Sequence, residues 1–96
     1  MTSKQRSNLK SIAAGLSPVG QVGKGGVSET MVRSLSDALE ARELIKINVL
    51  TNAEEGAAAL GEELARALRA EVVAVIGRKV ILYRRSSRKD FKHIEF

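Results

Sequence analysis

A chain of 96 residues makes one domain and leaves no room for a second of similar size. Hydrophobic residues at 44% and charged residues at 28% fit a globular protein, and the absence of cysteine excludes disulfides, thiolate catalysis and Cys-ligated zinc. The formal net charge is +5 with a pI near 10.0, and no apolar run reaches the roughly 18 residues of a membrane span.

"TSKQRSNLKSIAAGL" predicts a helix. Thr2 and Gln5 have capping-box spacing, and Leu9, Ile12, Ala13 and Leu16 recur at helical intervals. Gly15 and "LSP" end it. The charged start has no apolar segment of the secretory type, so a cytoplasmic protein is expected. "PVGQV" follows as a short strand. A second helix opens at Ser28, a good N-cap, with Glu29 at the positive end of its dipole and Val27 and Val32 at staple positions. Its buried stripe is Val32, Leu35 and Leu39, and it ends near Ala41 or Arg42.

"ELIKINVL" switches to period two, with Ile45, Ile47 and Val49 on one face and Lys46 and Asn48 on the other. Asn52 and Glu55 then have capping-box spacing ahead of a third helix, whose predicted core stripe is Leu60, Leu64, Ala67 and Leu68. "EVVAVIG" and "VILYRR" read as a hairpin turning around Gly77, Arg78 and Lys79. Residues 86–96 show no period and read as a basic tail, extended or mobile, after a domain of residues 1–85. The order α-β-α-β-α-β-β predicts an α/β (α+β) fold: one mixed four-stranded sheet with packed helices, the hairpin supplying an antiparallel edge.

Charge is segregated. Lys4, Arg6, Lys10 and Lys24 precede any acid, and Arg78, Lys79, Arg84, Arg85, Arg88, Lys89 and Lys92 crowd the end against Asp90. Between Asn52 and Gly77 the sign reverses. If the basic ends meet, the face fits a polyanion; a generic solubilising surface is the other reading.

Catalytic signals are thin. His93 is the only histidine, and no second ligand stands at zinc spacing. The pairs Glu54–Glu55 and Glu62–Glu63 are adjacent on the predicted helix, so they diverge into a solvated acidic face. Ser28 has no partner base. No enzyme, metal or cofactor is expected.

"GQVGKGG" holds four of the eight glycines. It fails the P-loop pattern, because Gly26 and Val27 stand where Lys-Ser or Lys-Thr is required, and no frame gives the dinucleotide fingerprint. Gly-x-x-Gly does fit, at Gly23, Lys24, Gly25 and Gly26, between a strand and a capped helix. Two readings stand. One is a plain tight turn. The other is a phosphate cradle: glycines admit close backbone approach, the helix start offers free N–H groups, and Lys24 adds charge.

With these residues in view the chain resembles the YhbY-like, or CRM, domain family. "KQRSNLKSIA", "PVGQVGKGGVSETMV", "ALEARELIKINV" and "VIGRKVILYRR" match in order, from about Lys4 to Arg85. The resemblance implies a fold similar to the C-terminal domain of translation initiation factor three. It also implies RNA binding, in bacterial members with precursors of the large ribosomal subunit. The family's GxxG loop falls on Gly23, Lys24, Gly25 and Gly26, with Gly25 a modest departure. Expected RNA contacts are therefore that loop with Lys4, Arg6, Lys10, Arg78, Lys79, Arg84 and Arg85, in a monomer with no membrane or small-molecule partner. With only Tyr83, Phe91 and Phe96 aromatic, a base-stacking platform is not expected. The alternative is an adaptor whose basic face docks on an acidic protein.

Overall fold

Local capping chemistry starts the first two helices. The computed structural model describes residues Met1–Phe96. In α1 (Ser3–Ala14) the Thr2 hydroxyl accepts from Gln5 N at 3.1 Å, and the Gln5 side chain accepts from Thr2 N at 2.8 Å. In α2 (Glu29–Arg42) Ser28 Oγ accepts from Met31 N at 3.2 Å. The third helix departs from expectation. No box forms at Asn52; α3 (Ala57–Leu68) begins after Gly56, which has no side chain to cap with. Asn52 instead lies beside the glycine loop: a Cβ on Gly23 would stand 3.2 Å from Asn52 Oδ1.

The strands β1 (Gly20–Val22), β2 (Leu44–Val49), β3 (Glu71–Ile76) and β4 (Lys79–Tyr83) form one mixed sheet in the order β1-β2-β4-β3. β1 and β2 are parallel, and β4 is antiparallel to both its neighbours. The hairpin's second strand thus lies inside the sheet, and β3 is the edge. The run Val80–Ile81–Leu82 explains this, since all three are buried, which only a strand covered on both faces allows. Gly77, with φ +59°, makes the hairpin turn with Arg78.

The helices cover the sheet unequally. α2 and α3 pack on one face, where Leu35, Leu39, Ile45, Ile47, Leu60, Leu64, Val80 and Leu82 form the main core. The α3 stripe uses Ala65, not the expected Ala67, which is exposed. Gly61 completes that stripe and lets α3 ride close: a Cβ there would stand 3.1 Å from Val80 Cγ1. α1 crosses the opposite face, burying Leu9 and Ala13 against Leu44, Val73 and Ile81. Ile12, expected on its apolar stripe, is exposed. Lys46 points away from the Ile45 face as predicted, but it is buried, and its ammonium donates to Leu16 O at 3.0 Å beyond the end of α1.

Residues after Tyr83 form no helix or strand and fold back onto α2 and the α1 face. Glu43, buried and held at φ +66°, anchors them. Its carboxylate accepts from Ser86 N at 2.7 Å, Ile94 N at 2.8 Å and His93 Nδ1 at 2.5 Å. Burial opposes that charge, but the donors from His93, Ile94 and Ser86 outweigh it and hold the carboxyl below its ordinary range. Phe96 then meets Tyr83 edge-on, with ring centroids 4.9 Å apart.

Candidate nucleic-acid interface

The glycine loop leaves the end of β1 as a closed turn. Gly26 N donates to Gly23 O at 3.0 Å, and Gly26 takes φ +67°. That geometry puts Lys24, which is exposed, at the tip, and Ser28, the N-cap of α2, follows two residues after Gly26. The tight turn and the presented cation are one object.

Backbone bonds tie this turn to the hairpin. Leu50 N donates to Val22 O at 2.8 Å, and its neighbour Val49 N donates to Arg78 O at 2.7 Å. Lys24, Arg78 and Lys79 therefore share one end of the sheet, and all three are exposed. Lys79 Nζ donates to Asn48 Oδ1 at 3.0 Å across the β2–β4 pair.

This end has three hollows, and in one of them Arg78 lies together with Glu54, Glu55, Leu50 and Thr51. On the helix side, the loop Gly23–Gly26 shares a hollow with Glu54 and Glu55. These acids precede α3 and are not on its outer face as expected, so their charge stands beside the glycine loop. On the other side, a hollow of about 520 Å³ is lined by Asn48, Thr51, Asn52, Arg78 and Lys79 and contains no acid.

The remaining cations divide. Lys4 and Lys10 are exposed on α1, and Lys10 borders Val73 and Ala74 of β3. Arg6 is spent on structure: its guanidinium donates to Val72 O, and to Val73 O at 3.2 Å. Arg84 is likewise enclosed, donating to Leu68 O at 2.8 Å and to Ser36 O and Oγ at 3.0 Å each. It lies 3.9 Å from Glu40, whose carboxyl the Ser87 and Ser86 donors hold down at about 2. Arg85 is exposed, but at the opposite end of β4 from Arg78. Tyr83 packs inward, and burial, with the Glu43 charge adding to it, raises its pKa. No three His, Asp or Glu side chains gather as metal ligands.

The sequence gives no sign of Asn48 or Asn52 as site residues. Their meeting with Lys79 and Gly23 depends on strand register and a loop path that no local spacing encodes.

Residues 1–84 match the family model of the CRS1 / YhbY (CRM) domain. The chain belongs to this family. Among CRM-type relatives, it is similar to the Bacillus subtilis protein named "Probable RNA-binding protein YqeI", 45% identical over 99% of this chain and 97% of that one. A Pseudomonas aeruginosa protein named "Probable RNA-binding protein PA4753" is 32% identical over 94% and 86% of the two chains. The solution structure of SAV1595 from Staphylococcus aureus superposes with a TM-score of 0.78 at 42% identity, covering 94% of each chain. No helix is long and apolar enough to cross a membrane.

Proposed function

We propose that this CRM domain binds RNA and acts in assembly of the large ribosomal subunit, holding RNA backbone with Lys24 at the tip of the Gly23–Gly26 turn and with Arg78 and Lys79 beside it. The observation that carries this reading is the placement of three exposed cations from two distant segments at one end of the sheet. The names of the relatives agree with its RNA-binding part. Lys4 and Lys10 extend the positive surface along α1, while Arg6 and Arg84 serve the fold.

Backbone contacts release counterions, so affinity must fall with salt. Five neutralised phosphates on a single strand give a log–log slope of about −3.5. Lys24→Ala weakens binding uniformly across sequences and reduces the slope by about 0.7, with an unchanged melting temperature. A flat salt dependence, or an unaltered affinity in a folded Lys24→Ala variant, overturns the electrostatic part. Sedimentation of cell extract tests the assembly role: co-migration with immature large subunits is expected, and a protein found only at the top of the gradient refutes it.

A further inference from the structure

Of the three aromatic rings, Tyr83 and Phe96 pack into the core on the α1 side. Phe91 joins neither core. It stays half-exposed, tilted against the His93 ring with centroids 5.6 Å apart. The loop that carries it is held at both ends by one carboxylate. Glu43 accepts from Ser86 N before the loop, and from His93 Nδ1 and Ile94 N after it. Between these points the chain turns at Lys89 and Asp90, with Phe91 N donating to Arg88 O at 3.4 Å. The fold thus fixes the loop without using its ring.

Positive charge surrounds that ring. Arg85, Arg88, Lys89 and Lys92 are exposed against Asp90 in the same stretch, and exposed Arg42 directly precedes Glu43. None of these cations is in an ion pair; the pairs formed by this segment go to Arg84 and His93. Glu40 is satisfied by Ser86, Ser87 and Arg84. Glu95 lies past the loop, and Glu71 faces the N-terminal amine at 4.0 Å. The patch is also separate from the glycine turn. β4 puts about 13 Å of strand between Lys79 and Tyr83, and Arg78 and Arg85 lie beyond its two ends.

We propose that the loop from Arg85 to His93 is a second contact for single-stranded RNA, in which Phe91 stacks on one unpaired base while Arg88, Lys89 and Lys92 hold the neighbouring phosphates. The inference rests on the RNA-binding reading above and adds a site at the other end of the sheet. Three aromatics are too few for a stacking platform, but one free ring serves one base, whatever its identity. A phosphate polymer with planar bases meets both the ring and the cations. An acidic protein surface would use the cations and leave the ring without a stacking partner. The Glu43 anchor matters here, because a loop held at both ends loses less freedom when it binds.

The chain contains no tryptophan, so Phe91→Trp gives a fluorophore that reports on this loop alone. The test titrates the full-length Phe91→Trp variant with octauridylate in low salt, following tryptophan emission and the anisotropy of the labelled oligomer together. Emission is expected to be quenched, saturating at the same RNA concentration as the anisotropy. Phe91→Ala leaves the charge unchanged and should weaken binding at least about fivefold, the loss of one stacked base. Lys89→Gln with Lys92→Gln should reduce the log–log salt slope by about 1.4. Unquenched emission at RNA saturation overturns the proposal, as does an unaltered affinity in folded Phe91→Ala. Failure of the unaltered protein to bind the oligomer at all refutes the RNA-binding reading itself, so the two failures are distinguishable.

Discussion

Replacing Glu43 by Gln changes one atom of a buried side chain and should loosen the whole C-terminal segment. The carboxylate takes three donors at 2.5–2.8 Å, from Ser86 N, His93 Nδ1 and Ile94 N. Glutamine offers one oxygen and an NH₂ group, so at least one donor faces another donor. Hydrogen bonds to a charged acceptor contribute roughly 1.5–3 kcal/mol, and an unpaired buried donor costs about 1–3 kcal/mol. The His93 bond is partly exposed and sits at the low end, which gives a loss of about 3 kcal/mol for Glu43→Gln. In a domain of this size that corresponds to a fall in Tm of roughly 15 °C. Thermal melts supply the magnitude, and amide exchange at Ser86 and Ile94 supplies the location.

The pH dependence follows from the same carboxylate. Its pKa in the folded state is lowered. Its contribution is therefore present above the unfolded carboxylate range and is lost as pH falls through the lower, folded value. Glu40, held at about 2, acts in the same direction. The stability gap between the unaltered protein and Glu43→Gln should accordingly narrow below about pH 4. A Tm loss under about 5 °C at pH 7, with Ile94 still protected, would refute the anchor.

Two further predictions separate fold from site. Gly26 has φ +67°, whereas Gly25 has no positive φ and nothing within 4 Å of a built Cβ. Gly26→Ala should cost about 1 kcal/mol and Gly25→Ala less than about 0.5 kcal/mol in urea unfolding, and the reverse order would refute this turn geometry. Arg84→Met keeps the aliphatic stem but leaves Leu68 O and Ser36 unpartnered, so it should lose about 2 kcal/mol of stability. RNA affinity of the folded Arg84→Met variant should be unchanged, and a drop matching that of Lys24→Ala would place Arg84 in the interface.

What could be read from the sequence was what local spacing encodes. Thr2 with Gln5, and Ser28 with Met31, cap their own helices within three residues, so their signals were complete in the chain. The alternation of Ile45, Ile47 and Val49 likewise fixed a face of β2. Long-range partners had no such signature. Asn52 has cap spacing but lies beside Gly23, and Arg6 and Arg84 look like surface charge until the carbonyls they meet, 66 and 16 residues away, come into place. Glu43 finds His93 across 50 residues. The central position of β4 did have a signal: Val80, Ile81 and Leu82 form an unbroken apolar run, which belongs to a strand covered on both sides. For the site, the glycine turn and its lysine were legible, but the place of Glu54 and Glu55 beside that turn was not.

The Arg6 guanidinium has a consequence for the behaviour of the protein in concentrated solution. β3 shifts register between Val72 and Ala74, and Arg6 occupies the Val72 and Val73 carbonyls there. "EVVAVI" is a segment of the kind that recruits copies of itself into fibrils once its edge is free. Its guard is carried by α1, at the other extremity of the chain. Undocking that one helix would uncover Leu9, Ala13 and Val73 together with the strand's open carbonyls, so resistance to self-association is set by how firmly α1 stays seated and not by global stability alone.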